Sequence, residues 1–446
     1  MDARFLPPMK MKYIRRLSLV AAIAAISSAT MPAQQQIPLR QLGTVLSVST
    51  EPLASVAQIR ALPHGRVIVH DLAGRRVLMF DSTLKNVTVI ADSTSATGMA
   101  YGSRLGGLIA YRGDSTLFVD PQSLSMLVID PNGKIVRTMS APLPREINQL
   151  IGGQNGTPGF DAQGRLVYRA IIRPRTQLAL PAPGETMMPE TPDSSLVVRV
   201  DLKTRVVDTA ATFRIPKMKV EITRDEITGG VNVRTTANPL PWTDDWALLA
   251  DGSLAIIRGQ DYRVEIASVD GKFVKGPKIP FEWQRLSDED KTAILDSTRT
   301  ATEKLREAII AQQRQVAGVQ AKLDPDAAKP GARQVAESEV TSRAPAPATI
   351  APPPQVNLVS LSELPDYRPA IRQGAARSDA DGNLWIRTSH TVNGGTEYDV
   401  INNRGELKER VLVPPGRVIA GFGPGGVVYM GVLEGDVARL ERAMMR

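Results

Sequence analysis

The sequence predicts an all-β fold, a six-bladed β-propeller of four-stranded blades, on three observations. Short β-type runs broken by Gly-containing turns fill most of the chain. One unit of strand, polar turn, strand, strand and second polar turn recurs six times. Where no insertion intervenes, the inner turns recur about every 50 residues, the length a four-stranded blade needs.

The first unit is the plainest, over residues 56–90. A strand at 56–59 leads to the turn Pro63-His64-Gly65, strands follow at 66–70 and 76–80, and Asp81-Ser82-Thr83 turns into 87–90. Later inner turns are Gly113-Asp114, Asp161-Ala162-Gln163-Gly164, Asp251-Gly252, Asp381-Gly382 and Gly423-Pro424-Gly425-Gly426. Outer turns fall at Asp130-Pro131-Asn132-Gly133, Leu202-Lys203-Thr204, Asp270-Gly271 and Asn403-Arg404-Gly405. The sixth unit runs out after two or three strands, while residues 37–50, apolar at Leu42, Val45, Leu46 and Val48, precede the first full unit. This segment is therefore expected to supply the missing strand of the last blade, closing the ring and removing an open sheet edge.

Two insertions interrupt the repeat. Residues 173–194 are rich in Pro and Thr and read as a long hairpin loop inside the third unit. The second follows the fourth unit: Ser287 caps an acidic first turn, Asp288-Glu289-Asp290, of a helix expected to reach about residue 320. Its apolar positions, Ile294, Ala301, Leu305, Ala308, Ile309, Val316, Val319 and Leu323, follow helical spacing. They fit either a flap lying on the propeller or a helix that binds a partner. Residues 329–355 form a Pro/Ala-rich linker. The expected organisation is a signal peptide at 1–33, propeller at 34–286, helical insertion and linker at 287–355, and propeller at 356–446.

Composition excludes several function classes. Charged residues at 22% and hydrophobic residues at 42% are ordinary for a globular protein. Residues 1–33 hold five basic side chains and one acid, so the +8 charge of the whole chain falls to +4 without them. That balance, with no basic run, argues against nucleic acid as a partner. The N-terminus reads as an export signal: Lys10, Lys12, Arg15 and Arg16, then an apolar run over 17–26, then small residues at Ser27-Ser28-Ala29 and Ala33. Met9 and Met11 are alternative starts. The apolar run is well short of the roughly 20 residues that span a bilayer, so no membrane span is expected after cleavage, and the destination is the periplasm or the outside medium. There is no cysteine, hence no lipid anchor on a thiol, no disulfide and no thiolate metal site.

The runs Val67-Ile68-Val69-His70-Asp71, Arg76-Val77-Leu78-Met79-Phe80-Asp81 and Asp379-Ala380-Asp381-Gly382-Asn383-Leu384-Trp385-Ile386 resemble the NHL/TolB-like six-bladed propellers of bacterial exported proteins. The resemblance covers roughly residues 40–280 and 365–440. It implies the architecture and is nearly silent on activity, since the group includes peptide, protein and sugar-associated binders as well as metal-dependent lactonases and esterases. In those enzymes Glu, Asn and Asp side chains hold a divalent cation at the channel mouth. Glu146, Asn148, Asn155, Asp161, Asp244, Asp245 and Asp379 are the residues here that such a role would draw on, with calcium as the candidate cation, but they form no matching motif. Asp161, Asp379 and Asp381 are equally the expected turn formers.

The most unusual short segment is Trp242-Thr243-Asp244-Asp245-Trp246. Trp242 offers a ring for stacking and Asp244 and Asp245 offer carboxylates to orient a ligand, whereas Trp246 reads as core. Arg258, Tyr262 and Arg263 in the fourth unit, and Arg377 and Arg387 in the fifth, are ligand candidates if they face the channel and salt-bridged surface residues if they do not. His64, His70 and His390 have no ligand spacing, no Gly-x-Ser-x-Gly elbow is present, and Gly152-Gly153-Gln154-Asn155-Gly156 reads as a loop, not a phosphate cradle. The expected function is thus an exported scaffold for a peptide, glycan, protein or other envelope partner; the alternative is a divalent-metal-dependent lactonase or esterase acting at the channel mouth.

Overall fold

The computed structural model describes residues 37–93, Tyr101, 105–171, 179–323 and 356–445. The expected export signal and the 329–355 linker lie outside them, as do residues 172–178 of the first insertion.

Among the described residues six sheets, each with four antiparallel strands and one with a further parallel strand, follow one another along the chain. Their innermost strands are Gln58–Ala61, Gly107–Ala110, Gly159–Phe160, Asp245–Leu248, Ala376–Ser378 and Arg417–Gly423. These strands meet in a ring. Leu108 N donates to Gln58 Oε1 (2.8 Å). The backbone leading into the third sheet crowds Gly107, and Thr157 bridges to Ala247 of the fourth. Ala376 N donates to Asp245 Oδ2 (2.9 Å), Arg377 Nη1 to Ala420 O (3.3 Å), and Gly421 lies flat against Ile59. This is a β-propeller, and the ring explains its sequence pattern. A strand such as Val67–Asp71, buried at all five positions, has a neighbouring sheet on each face and so reads as a continuous apolar run. The outermost strand Phe273–Lys278 is exposed at all but one position.

Ring closure is as expected from the short sixth unit. Arg417–Gly423, Val427–Glu434 and Val437–Met444 supply three strands, and Val45–Val48 pairs antiparallel with the last of them. The preceding strand, Leu39–Gln41, was not foreseen; it pairs in parallel with Leu407–Val413 as a fifth strand on the neighbouring sheet. Packing is strongest between sheets: Val67, Val69, Leu78 and Phe80 of the first meet Tyr429 and Leu440 of the sixth.

The expected turns hold, with one difference. Asp161 Oδ1 accepts Gln163 N and Arg165 N, and Asp379 Oδ1 accepts Asp381 N and Asn383 N, each carboxylate closing its own turn. Asp381 instead reaches the next sheet, accepting Gly425 N (2.9 Å) and Gly426 N (2.8 Å).

A seventh sheet corrects the expectation that the insertions hold only a loop, a helix and a linker. Thr186–Met187, Lys219–Arg224, Val231–Ala237 and Val356–Leu358 form it, drawing strands from the first insertion, from the connection between the third and fourth sheets and from the first residues of the 356–446 segment, which were expected to belong to the propeller. The helix spans Asp288–Leu323, with Ser287 Oγ accepting Asp290 N (3.1 Å) and Asp290 Oδ2 accepting Ser287 N (3.0 Å). Its anchoring face differs from the stripe read in the sequence. Leu295 is 8% exposed against Val359 and Leu364, and Lys291 pairs with Asp366 (2.9 Å), whereas Leu305 is 62% exposed. The anchor thus lies in the first two turns, where Val359, Leu364 and Asp366 meet the helix.

Candidate functional site

The ring encloses a central channel of about 360 Å³ lined by all six innermost strands. One end is crossed by the 150–156 loop. Trp246 Nε1 donates to Asn155 O (3.1 Å), tying the loop to the fourth sheet. The loop also touches the first sheet at Gln58 and the second at Gly107, and Gly153 lies under Gly374 of the fifth. Two glycines make this crossing fit. Gly156 has φ +88°, and a Cβ there would strike the Trp246 indole; Gly374 has φ +78°, and its Cβ would stand 3.0 Å from Gly153 O. At the other end, beside the inner turns, the lining residues Ala250 and Ala380 are exposed, so the lumen opens there.

Of the eight sequence-predicted site residues, Arg377 alone lines this channel. Asp244 joins the third and fourth sheets: it accepts Arg214 N (3.0 Å), Gly259 N (3.1 Å) and Arg258 Nη1 (2.9 Å). Arg258 also grips Glu265 (2.6 Å) and Thr212 O (3.2 Å). Asp245 is 2% exposed and holds the start of the fifth sheet through Ala376 N. Burial pushes its carboxyl up to about 7, against the pull of the surrounding backbone N–H groups. Tyr262 is buried with its hydroxyl on Asp399 Oδ2 (2.6 Å), and Arg410 donates to the other oxygen of Asp399 (3.1 Å). Arg263 pairs with Asp261 (2.9 Å) away from the lumen, and Arg387 is exposed on the strand Leu384–Val392. Trp242 ends a row of rings, 5.7 Å from Trp283, which continues through Phe281 to Tyr262. Trp246 is fully buried, as read from its place in the strand.

The other acids weighed as cation ligands are likewise engaged. Glu146 accepts Tyr168 Oη (3.0 Å), and Asp161 pairs with Arg165 (2.8 Å). Among the described residues no three His, Asp or Glu side chains gather at one point as a metal set. His70 is buried between Tyr101 and Phe118, and burial pulls it down to about 4, keeping it neutral.

The sequence reading missed Arg60. It lies on the innermost strand Gln58–Ala61, lines the channel, and donates through Nη1 to Ala61 O, while its Nε has no hydrogen-bond partner among the described residues. The signal was available: an arginine in the strand just before an inner turn, shared by Arg60 and Arg377.

No protein-family model matches the chain, and no curated protein matches it. Solved structures do. Virginiamycin B lyase from Staphylococcus aureus aligns with 8% identity over 90% of this chain and 99% of that one, with a TM-score of 0.37. A gluconolactonase from Xanthomonas campestris aligns with 10% identity over 91% and 99%, TM-score 0.36. A Bacteroides fragilis protein described as exported aligns with 8% identity over 92% and 99%, TM-score 0.42. At these scores the likeness adds nothing to what the sheets themselves show, and no activity passes from it to this chain.

Proposed function

We propose that this chain is an exported propeller of the NHL/TolB-like kind that works as a binding scaffold and takes its ligand in the central channel. The observation that carries this reading is the channel itself, walled by six strands, crossed at one end by the 150–156 loop and bordered at the other by exposed Ala250 and Ala380. The basic and apolar N-terminal segment supports export, and no helix among the described residues is long and apolar enough to cross a membrane. No specific observation favours the metal-dependent lactonase or esterase: Asp161, Asp244, Asp245 and Asp379 each already accept hydrogen bonds from the chain. Peptides, glycans and an envelope protein remain the partner classes to screen.

The test is a thermal-melting screen of these ligand classes against the full chain and an Ala110→Trp variant, in which an indole fills the lumen from an exposed lining position. A ligand that binds only the folded protein at a hundredfold excess over its Kd adds about 2.7 kcal/mol of stability. Stabilisation that disappears in the variant supports the channel reading. Stabilisation that persists in it, or turnover of a lactone or ester by the unmodified chain, refutes it.

A further inference from the structure

The innermost strands carry four charged side chains, and two of them do not line the channel. Asp245 is held by the fifth sheet, and Arg417 pairs with Glu441 (2.6 Å). Arg60 and Arg377 form no ion pair among the described residues, yet both line the same lumen. They lie on the first and fifth sheets, flanking the sixth from either side. Each donates to a backbone carbonyl, and both are half-buried. Burial lowers the Arg60 guanidinium below its ordinary value, opposed by the charge of Asp114. Burial likewise lowers Arg377, opposed by Tyr398 and reinforced by the like charge of Arg387.

Half-buried cations without an ion-pair partner are costly, and two of them line this one cavity. The one carboxylate among the described lining residues, Asp379, forms an ion pair with neither. Its oxygens accept Asp381 N, Asn383 N, Asn383 Nδ2 and Trp385 Nε1, all at 2.7–2.9 Å. We propose that the central channel is an anion site, with Arg60 and Arg377 as its two charged contacts and a compact organic acid as its ligand. A guanidinium presents a fork of N–H donors that matches carboxylate and phosphate oxygens. The remaining walls, which include Ile59, Leu108, Phe160, Leu248 and Phe422, suit the carbon body of such a molecule better than a bare inorganic ion. The volume, about 360 Å³, lies at the small end of the roughly 300–1,000 Å³ usual for ligand pockets.

This inference rests on the channel-binding reading, and the experiment separates the two. Isothermal titration calorimetry on the full chain uses glucuronate and citrate as probes, with glucose as the neutral counterpart of glucuronate. The expected result is one-to-one binding of at least one acid, at least tenfold tighter for glucuronate than for glucose if glucuronate is that acid. Binding should weaken as salt is added and fall tenfold or more in Arg377→Gln and in Arg60→Gln. The salt and glucose comparisons need no variant, so they hold even if a substitution impairs folding. Glucose binding as tightly as glucuronate, indifference to both arginines, or no binding of either acid at millimolar concentration overturns the anion site. Glucose binding lost in Ala110→Trp but kept in Arg377→Gln would leave the channel reading standing without it. Acid binding that survives Ala110→Trp overturns the location itself.

Discussion

Raising the pH from 4 to 8 should weaken the fold through Asp245, and replacing that residue should remove the effect. Asp245 sits at the start of the fourth innermost strand, 2% exposed, with Ala376 N on its Oδ2. Burial lifts it from an ordinary 3.8 to about 7, so between these values the folded chain keeps a proton that the unfolded chain gives up. Stability from this group is therefore full below about pH 4 and lost as the pH rises through about 7. At about 1.36 kcal/mol per pH unit, the gap is worth about 4 kcal/mol. Asp399, pushed up to about 6 by burial, acts in the same direction, so the wild-type curve alone does not isolate Asp245. Urea denaturation of wild type and Asp245→Asn at each pH does. The wild-type stability minus the variant's should fall by about 4 kcal/mol from pH 4 to pH 8. A difference that stays flat, or that grows with pH, would show that the backbone N–H groups keep this carboxylate ionised and that burial is not the dominant cause.

Three further substitutions probe the joints of the ring and the insertion. Tyr262→Phe removes the hydroxyl that serves buried Asp399 and should cost about 1–3 kcal/mol in urea denaturation. Gly374→Ala adds a Cβ at φ +78° against Gly153 O and should destabilise by more than about 1 kcal/mol, with faster amide exchange in the 150–156 loop as the local readout. Leu295→Ala should cost about 2 kcal/mol by calorimetric melting, while Leu305→Ala should stay within about 0.5 kcal/mol. Equal costs would mean that the helix packs on the face read from its sequence.

The sequence by itself determined the repeat, and with it the propeller. Inner turns built on Asp and Gly are local chemistry: Asp161 and Asp379 bond their own turns whatever surrounds them, so the turns are legible one at a time. Runs such as Val67-Ile68-Val69 announce strands covered on both faces, and the shortfall of the sixth unit pointed to Val45–Val48 as the closing strand. The Ser287 cap was legible for the same local reason. What only the tertiary structure decided depends on partners distant in sequence. Asp244 and Asp245 are neighbours in the chain, yet one joins the third sheet to the fourth and the other holds the fifth. Leu295, not Leu305, became the anchor of the helix because Val359 and Leu364 fold beneath it. Arg60 and Arg377, more than 300 residues apart in sequence, share a lumen because closing the ring brings innermost strands from both ends of the propeller to one axis.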